Sequence, residues 1–195
     1  MDHTEGSAHP EKTRNAADID LVLDFWFREA SPQQHFTKDK IFDDLIRSRF
    51  EKQVKQALAS QLDSWAATPH GCLALILLLD QFTRNIYRDT PQAFSGDEIA
   101  LALSLKAVDR GDLEALTPEE RRFLLMPMMH SEDLDIQEAS LPLFRDHAPG
   151  NTYEYAVRHR DIIARFNRFP HRNIILGRPS SKEEEMFLTE PGSSF

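Results

Sequence analysis

The stretch 158–173, RHRDIIARFNRFPHRN, gathers five arginines, two histidines and one acid around an apolar spine of Ile162, Ile163, Phe166 and Phe169. Residues three, four and seven apart share one face of a helix, so His159 falls on the stripe of Ile163 and Phe166. The arginines then project along the edge of what becomes core. Charge in that position is costly unless paired, so the segment demands carboxylate partners from elsewhere in the chain. Counted on to Arg178, six arginines stand against the single acid Asp161, a local +5 inside a chain whose net charge is −9.

The remaining bounds are broad. A chain of 195 residues, 41% hydrophobic and 28% charged, suffices for one domain with a sizeable core and is short for two. Seven glycines among plentiful helix formers favour an all-α fold. The acidic total opposes general binding to nucleic acid or to an anionic membrane, because counterion release needs a broad basic face. The longest apolar run, 72–79, is too short to span a bilayer, and the opening MDHTEGSAHPEKTRNAA lacks the apolar centre of a secretory signal. The single cysteine, Cys72, lies in that apolar run and reads as a buried, inert thiol. A cytoplasmic protein with no nucleic-acid and no membrane partner is expected.

Residues 1–17 are polar and without periodicity and read as a mobile tail, leaving 18–195 as a single helical domain. Asp18 is the expected cap of a first helix through Ile19, Val22, Leu23, Trp26 and Phe27. Thr37 is the expected cap of a second, with the stripe Ile41, Phe42, Leu45, Ile46, Phe50, Val54 and Leu58. A third, over about 70–87, is apolar all round until Asp80, Gln81, Arg84, Asn85 and Arg88 open a polar stripe. There Asp80 pairs with Arg84, and Gln81 with Asn85, four residues apart. Ser95 with Glu98 and Thr117 with Glu120 are capping-box signatures, the second reinforced by Pro118. Gly111 stops the helix between them, and Pro127 should kink or end the next. Another helix carries Ile136 and Phe144, the arginine helix starts near Thr152, and Ser181 with Glu184 caps a last short one. Ile174 to Leu176 reads as extended, and Phe195 as a pin for the terminal tail. The whole is an all-α, single-domain bundle of about seven to eight helices packed as α–α hairpins.

Three segments hold the unusual polar groups: 80–88, 130–133 and 158–172. Each lies beside strongly apolar residues, where a polar group needs a partner. Converging, they would join Arg165 or Arg168 to Asp80 or Glu132, and set His130 or His159 against a carboxylate. Arginine forks beside a histidine suit a small anionic ligand. His130, His159 and Glu132 are therefore the candidate catalytic groups, with Asp80, Arg84, Arg165, Arg168, His171 and Arg172 as candidate ligand-binding residues. A core histidine satisfied by its neighbours is the plainer reading of His159. No H-E-x-x-H pairing is present and crowded arginines repel a cation, so no metal is expected. Neither a nucleophile elbow around Ser131 nor a glycine-rich phosphate loop appears, and no cofactor is expected.

LDFWF (23–27), LLDQFTRNIYR (78–88), HSED (130–133), RHRDIIARFNRFPHRNIILGR (158–178) and PGSSF (191–195) together resemble an uncharacterised, mainly bacterial family, domain of unknown function nine-twenty-four. The motifs run in order over essentially 19–195. The resemblance implies an all-helical, tetratricopeptide-like fold, no established activity and no assigned catalytic residue. Family members typically read RFGRFPHRN, and this chain has Asn167 in place of the glycine. Asparagine is the next-best residue for a left-handed backbone, so the helix should end at Asn167 with positive φ. Three readings stand: a small-anion site, enzymatic or merely binding; a tetratricopeptide-like module for a protein partner; and a network that only holds the bundle. A cavity touching two or more of the polar segments, with arginines lacking protein acceptors, would favour the first. Full pairing would favour the last.

Overall fold

Thr68 accepts a hydrogen bond from Gly71 N at 3.1 Å, and Pro69 occupies the first helical position after it. This cap opens the innermost element of the molecule. In the computed structural model, which describes residues 10–194 and side chains from Asn15 onward, the helix α3 (Pro69–Ile76) runs on into a π-helical turn, Leu77–Phe82, and then α4 (Thr83–Ile86). Every residue from Cys72 to Thr83 is buried, as expected of a helix enclosed by others.

The other elements enclose that rod. They are α1 (Pro10–Asp24), α2 (Lys40–Leu58), α5 (Asp97–Asp109), α6 (Pro118–Met129), α7 (Leu134–His147), α8 (Thr152–Phe166) and α9 (Lys182–Phe187). With the rod counted once, the described residues make eight helices and no strand, an all-α single domain. Helices α1, α2, α5 and α6 lie against the rod, and α5 to α8 pack each on the next. Phe25, Trp26, Phe50, Phe82 and Phe123 fill the centre in tilted and edge-on pairs. A smaller apolar cluster of Ile162, Ile163 and Phe169 lies apart from it, under Phe166 and Phe187.

Several expectations need correction. Helix α1 already begins at Pro10, so Asp18 lies inside it; of the expected tail, only 1–9 falls outside the described residues, as does Phe195. Asp39, not Thr37, caps α2, because its carboxylate accepts from Ile41 N at 2.8 Å while Thr37 Oγ donates to Gln33 O. Ile41 and Leu45 are exposed, so the buried stripe of α2 is Phe42, Ile46, Phe50 and Val54. Gly96 stands at the start of α5, since Ser95 Oγ donates backward to Gln92 O. Helix α6 passes through Pro127 to Met129, and 173–177 is a turn, not extended.

The boxes at Thr117/Glu120 and Ser181/Glu184 both form, and α8 ends at Asn167 with φ +54°. Gly96 matters for another reason: a Cβ there would collide with the Leu79 carbonyl of the rod, so only glycine lets α5 start this close to it.

Two substitutions test these points. Gly96→Ala should lower unfolding stability by about 1–3 kcal/mol through overpacking at Leu79, and a thermal midpoint equal to wild type would reject the close approach. Asn167→Gly should match or exceed wild type, whereas Asn167→Ala should cost about 1 kcal/mol in denaturant unfolding.

Candidate functional site

The π-helical turn puts one more residue into a turn than an α-helix does, and it changes which polar groups meet. Asp80, fully buried on the rod, accepts from His130 Nδ1 at 2.7 Å and forms an ion pair with Arg84 at 3.0 Å, while Arg84 donates to the Asp80 backbone carbonyl at 2.6 Å. The second carboxylate oxygen of Asp80 accepts from Gln81 Nε2 at 2.5 Å. The Asp80–Arg84 pair is the one read from spacing. Gln81 and Asn85 do not pair: Gln81 also reaches Met126 Sδ, and Asn85 donates to Asp43 on α2. Burial opposes ionisation of Asp80, but the Arg84 charge and His130 outweigh it and hold the carboxyl well below its usual range. An ionised carboxylate only accepts, so His130 carries its hydrogen on Nδ1 and, when neutral, has an acceptor at Nε2.

Arg84 uses its other edge on Asp97, at 2.9 and 3.0 Å, which α5 delivers past Gly96. The 3-10 turn Pro170–Arg172 brings the second guanidinium of the cluster. Arg172 is 7% exposed, its Cζ 4.9 Å from the Phe94 ring centroid and 4.6 Å from that of Phe169. One terminal nitrogen donates to the His130 carbonyl at 3.0 Å. The other is 3.5 Å from Asp97, a carboxylate already forked by Arg84, and Nε is buried with no hydrogen-bond partner. Burial and the neighbouring Arg84 charge depress its pKa to about 10, so it remains a cation at neutral pH.

His159 is buried on α8, its Nδ1 2.7 Å from Tyr155 O, with its ring 6.3 Å from that of His130 and 5.6 Å from Phe169. Burial first, then the neighbouring His130, Arg172 and His171, lowers it to about 3, so it is neutral. His171, beside Phe169, is lowered to about 4 by burial and by Arg172. Glu132 closes the far side. It accepts from Phe169 N at 2.8 Å and is forked by Arg178 at 2.7 and 3.0 Å. Burial opposes its ionisation, and the Arg178 and Phe169 hydrogen bonds outweigh that and keep it below the usual value. The 130–133 loop is itself fixed by Gln137 Nε2, which donates to Met129 O and Ser131 O at 2.6 and 2.8 Å.

Asp80, Arg84, His130, Glu132, His159, His171 and Arg172 thus converge, as the sequence led one to expect. Arg165 and Arg168 do not join them. Arg165 binds Glu183 at the surface, and Arg168 is forked by the buried Glu184 at 2.6 and 2.7 Å. Nor do the other arginines of α8 turn inward: Arg158 lies over Tyr155, and Arg160 pairs with its neighbour Asp161. The inward cations come from the turn after the helix, because Asn167 reverses the chain first. Sequence reasoning missed Asp97 and Arg178 as members. Asp97 looks like any acid in a first helical turn, and Arg178 stood in the basic run without a partner in view. A hollow of about 470 Å³ opens at Pro170, His171, Ile174, Arg178 and Leu188. It touches one polar segment directly and abuts Glu132 through Arg178.

Among the described residues no helix is long and apolar enough to cross a membrane. The family model for bacterial protein of unknown function (DUF924) matches residues 22–192. A solved structure of a protein of unknown function from Agrobacterium tumefaciens is similar at 37% identity, with a TM-score of 0.85, covering 89% of this chain and 98% of that one. No curated protein matches the chain.

The buried neutral histidines set a pH dependence. His159 has a folded value of about 3 against an ordinary 6.5, so below pH 6.5 the unfolded chain takes up a proton that the folded chain refuses. Its stabilising contribution is complete above that pH and is lost as pH falls toward 3. At full slope one such histidine costs about 1.4 kcal/mol per pH unit, and His171 acts in the same direction. Urea unfolding between about pH 7.5 and 5 should show this fall, with His159→Gln shallower by about one proton; identical slopes would reject a neutral buried His159.

Proposed function

The chain belongs to the bacterial family of unknown function DUF924, and for it we propose a binding site for a small anionic molecule built around Arg172, with His130 placed to exchange a proton with the ligand. The observation that carries this reading is the state of Arg172. It is a buried cation with a donor unspent, and its nearest carboxylate belongs to Arg84 first. Arg84, Arg168 and Arg178 each have a carboxylate forked against them, as a purely structural arginine should. Arg172 does not.

Asp80 orients His130, Arg84 and Asp97 fix the frame, and Glu132 with Arg178 anchors the turn that carries His171 and Arg172. His171 stands between the hollow and Arg172 in the chain and lines the hollow itself, which supports entry from that side. In an enzymatic form of the reading, His130 is the general acid–base. Arg165 and Arg168 are ties to the last helix and take no part in the ligand site. A single thiol, buried and free, supports the reading of a cytoplasmic protein. A second reading, docking of a protein partner as in tetratricopeptide-like modules, draws on Ile174, which is 89% exposed at the rim of the same hollow.

The experiment is a thermal-shift and calorimetric screen of carboxylated and phosphorylated metabolites against wild type, Arg172→Met and Arg168→Ala. Arg172→Met keeps an unbranched apolar stem beside the Phe94 and Phe169 rings and leaves Asp97 bound to Arg84. It should lower the unfolding temperature, because one cation leaves a cluster of acids, while weakening ligand binding about tenfold or more. Arg168→Ala should lower stability and leave affinity unchanged. Loss of stability in Arg172→Met without any ligand effect would make Arg172 a structural pin and end the proposal.

A further inference from the structure

The turn that follows Arg172 puts an isoleucine into open water and holds it there. Ile174 is 89% exposed, yet the turn that carries it is tied at several points. Leu176 N donates to Arg172 O at 2.9 Å, and Arg178 N to Asn173 O at 2.8 Å. Asn173, 1% exposed beside it, donates to Ser180 Oγ at 3.1 Å and accepts from Arg178 Nε at 3.0 Å. A single exposed apolar side chain needs no explanation. This one stands at the rim of the hollow of about 470 Å³, with Pro170 and Leu188 as further apolar walls. A small molecule is normally enclosed on most sides by its pocket. An apolar knob projecting beside an open hollow is instead a shape that a second polypeptide can cover.

The charges of that hollow are not equivalent. Besides Ser180 and His171 it holds one guanidinium, Arg178, and one carboxylate, Glu185. Arg178 is spent: its terminal nitrogens fork Glu132 at 2.7 and 3.0 Å, one of them also reaches Phe169 O, and Nε goes to Asn173. Glu185 is exposed on α9, and among the described residues its carboxylate has neither an ion pair nor a hydrogen bond. Its neighbours Glu183 and Glu184 are held by Arg165 and Arg168. Lys182, three residues earlier, neither pairs with it nor lines the hollow. The charge left for a partner to meet is therefore negative. A second copy of the chain, docked by a two-fold axis, would set this patch against itself and bring two such carboxylates together on chains of net charge −9. We infer that this surface docks a basic segment of another protein, an apolar side chain entering beside Pro170, Ile174 and Leu188 and a neighbouring lysine or arginine reaching Glu185.

This inference rests on the docking reading given above and does not depend on the anion site at Arg172. A displayed library of random short peptides is panned on the full chain and, in parallel, on Ile174→Asp. Both side chains are exposed, so Ile174→Asp and Glu185→Lys should keep the thermal midpoint of wild type. Peptides retained by wild type and not by Ile174→Asp should set a large aliphatic side chain next to a lysine or arginine. The most enriched of them, made synthetically, should bind Ile174→Asp and Glu185→Lys each about tenfold more weakly than wild type. Its affinity for wild type should also fall as salt is raised. Enriched peptides without basic residues, bound equally well by Glu185→Lys, would overturn the basic partner and leave the docking surface standing. If no peptide tells wild type from Ile174→Asp, the basic partner and the docking surface fall together. A wild-type dimer that Ile174→Asp dissolves would assign the surface to a second copy and overturn the proposal.

Discussion

A carboxylate with no exposure to water, Asp80, sits on the most enclosed helix of the molecule. An isolated charge in that position would unfold the protein or be neutralised by a proton. Arg84, His130 and Gln81 keep it ionised, and each comes at a structural cost of its own. Arg84 then needs Asp97, which needs α5 to start against Leu79, which needs glycine at position 96. His130 must be held at the end of α6, and Gln137 and Arg172 hold it through backbone carbonyls. The chain of dependences runs from one oxygen pair to four helices. Breaking it at any point strands a buried charge, which is why the polar cluster and the fold cannot be separated cheaply.

Much of this is visible in the letters. An Asp and an Arg four apart at the end of an apolar run, a threonine box before Pro118, and an asparagine where a helix must reverse each follow from local chemistry, and each is present in the fold. What stays hidden is whatever depends on a register the chain adopts only when packed. The π-helical turn at 77–82 sends Gln81 to Met126 and leaves Asn85 to Asp43, so a pair drawn at α spacing never forms. Arg165 and Arg168 find Glu183 and Glu184, eighteen and sixteen residues on, because a turn folds the last helix back over them. No periodicity encodes that return. Sequence spacing identifies residues that need partners far better than it identifies the partners.

Two arginines four residues apart show what separates structure from function here. Arg168 has a buried acid to itself, and that acid, Glu184, also completes a capping box, so removing either side breaks two features at once. Arg172 has two ring faces against it, a shared carboxylate at a distance and an idle nitrogen. Most buried arginines among the described residues have an acid forked against them; Arg172, beside His130, does not, and the Nε of Arg122, away from this cluster, is likewise unspent. Poor satisfaction of a buried cation in an otherwise well-satisfied network is an energetic liability, and such liabilities collect at places where a protein does something.

The long separation within the Asp80–His130 pair has a consequence during synthesis. Asp80 leaves the ribosome fifty residues ahead of His130, and Glu132 forty-six ahead of Arg178. Until the second member of each pair emerges, the growing chain holds an acid on its most apolar helix with no cation from the far half to quiet it. Arg84, four residues on, meets Asp80 as soon as both have emerged, but the polar cluster closes only once Arg178 has been made, so completion of the fold is tied to near-completion of translation.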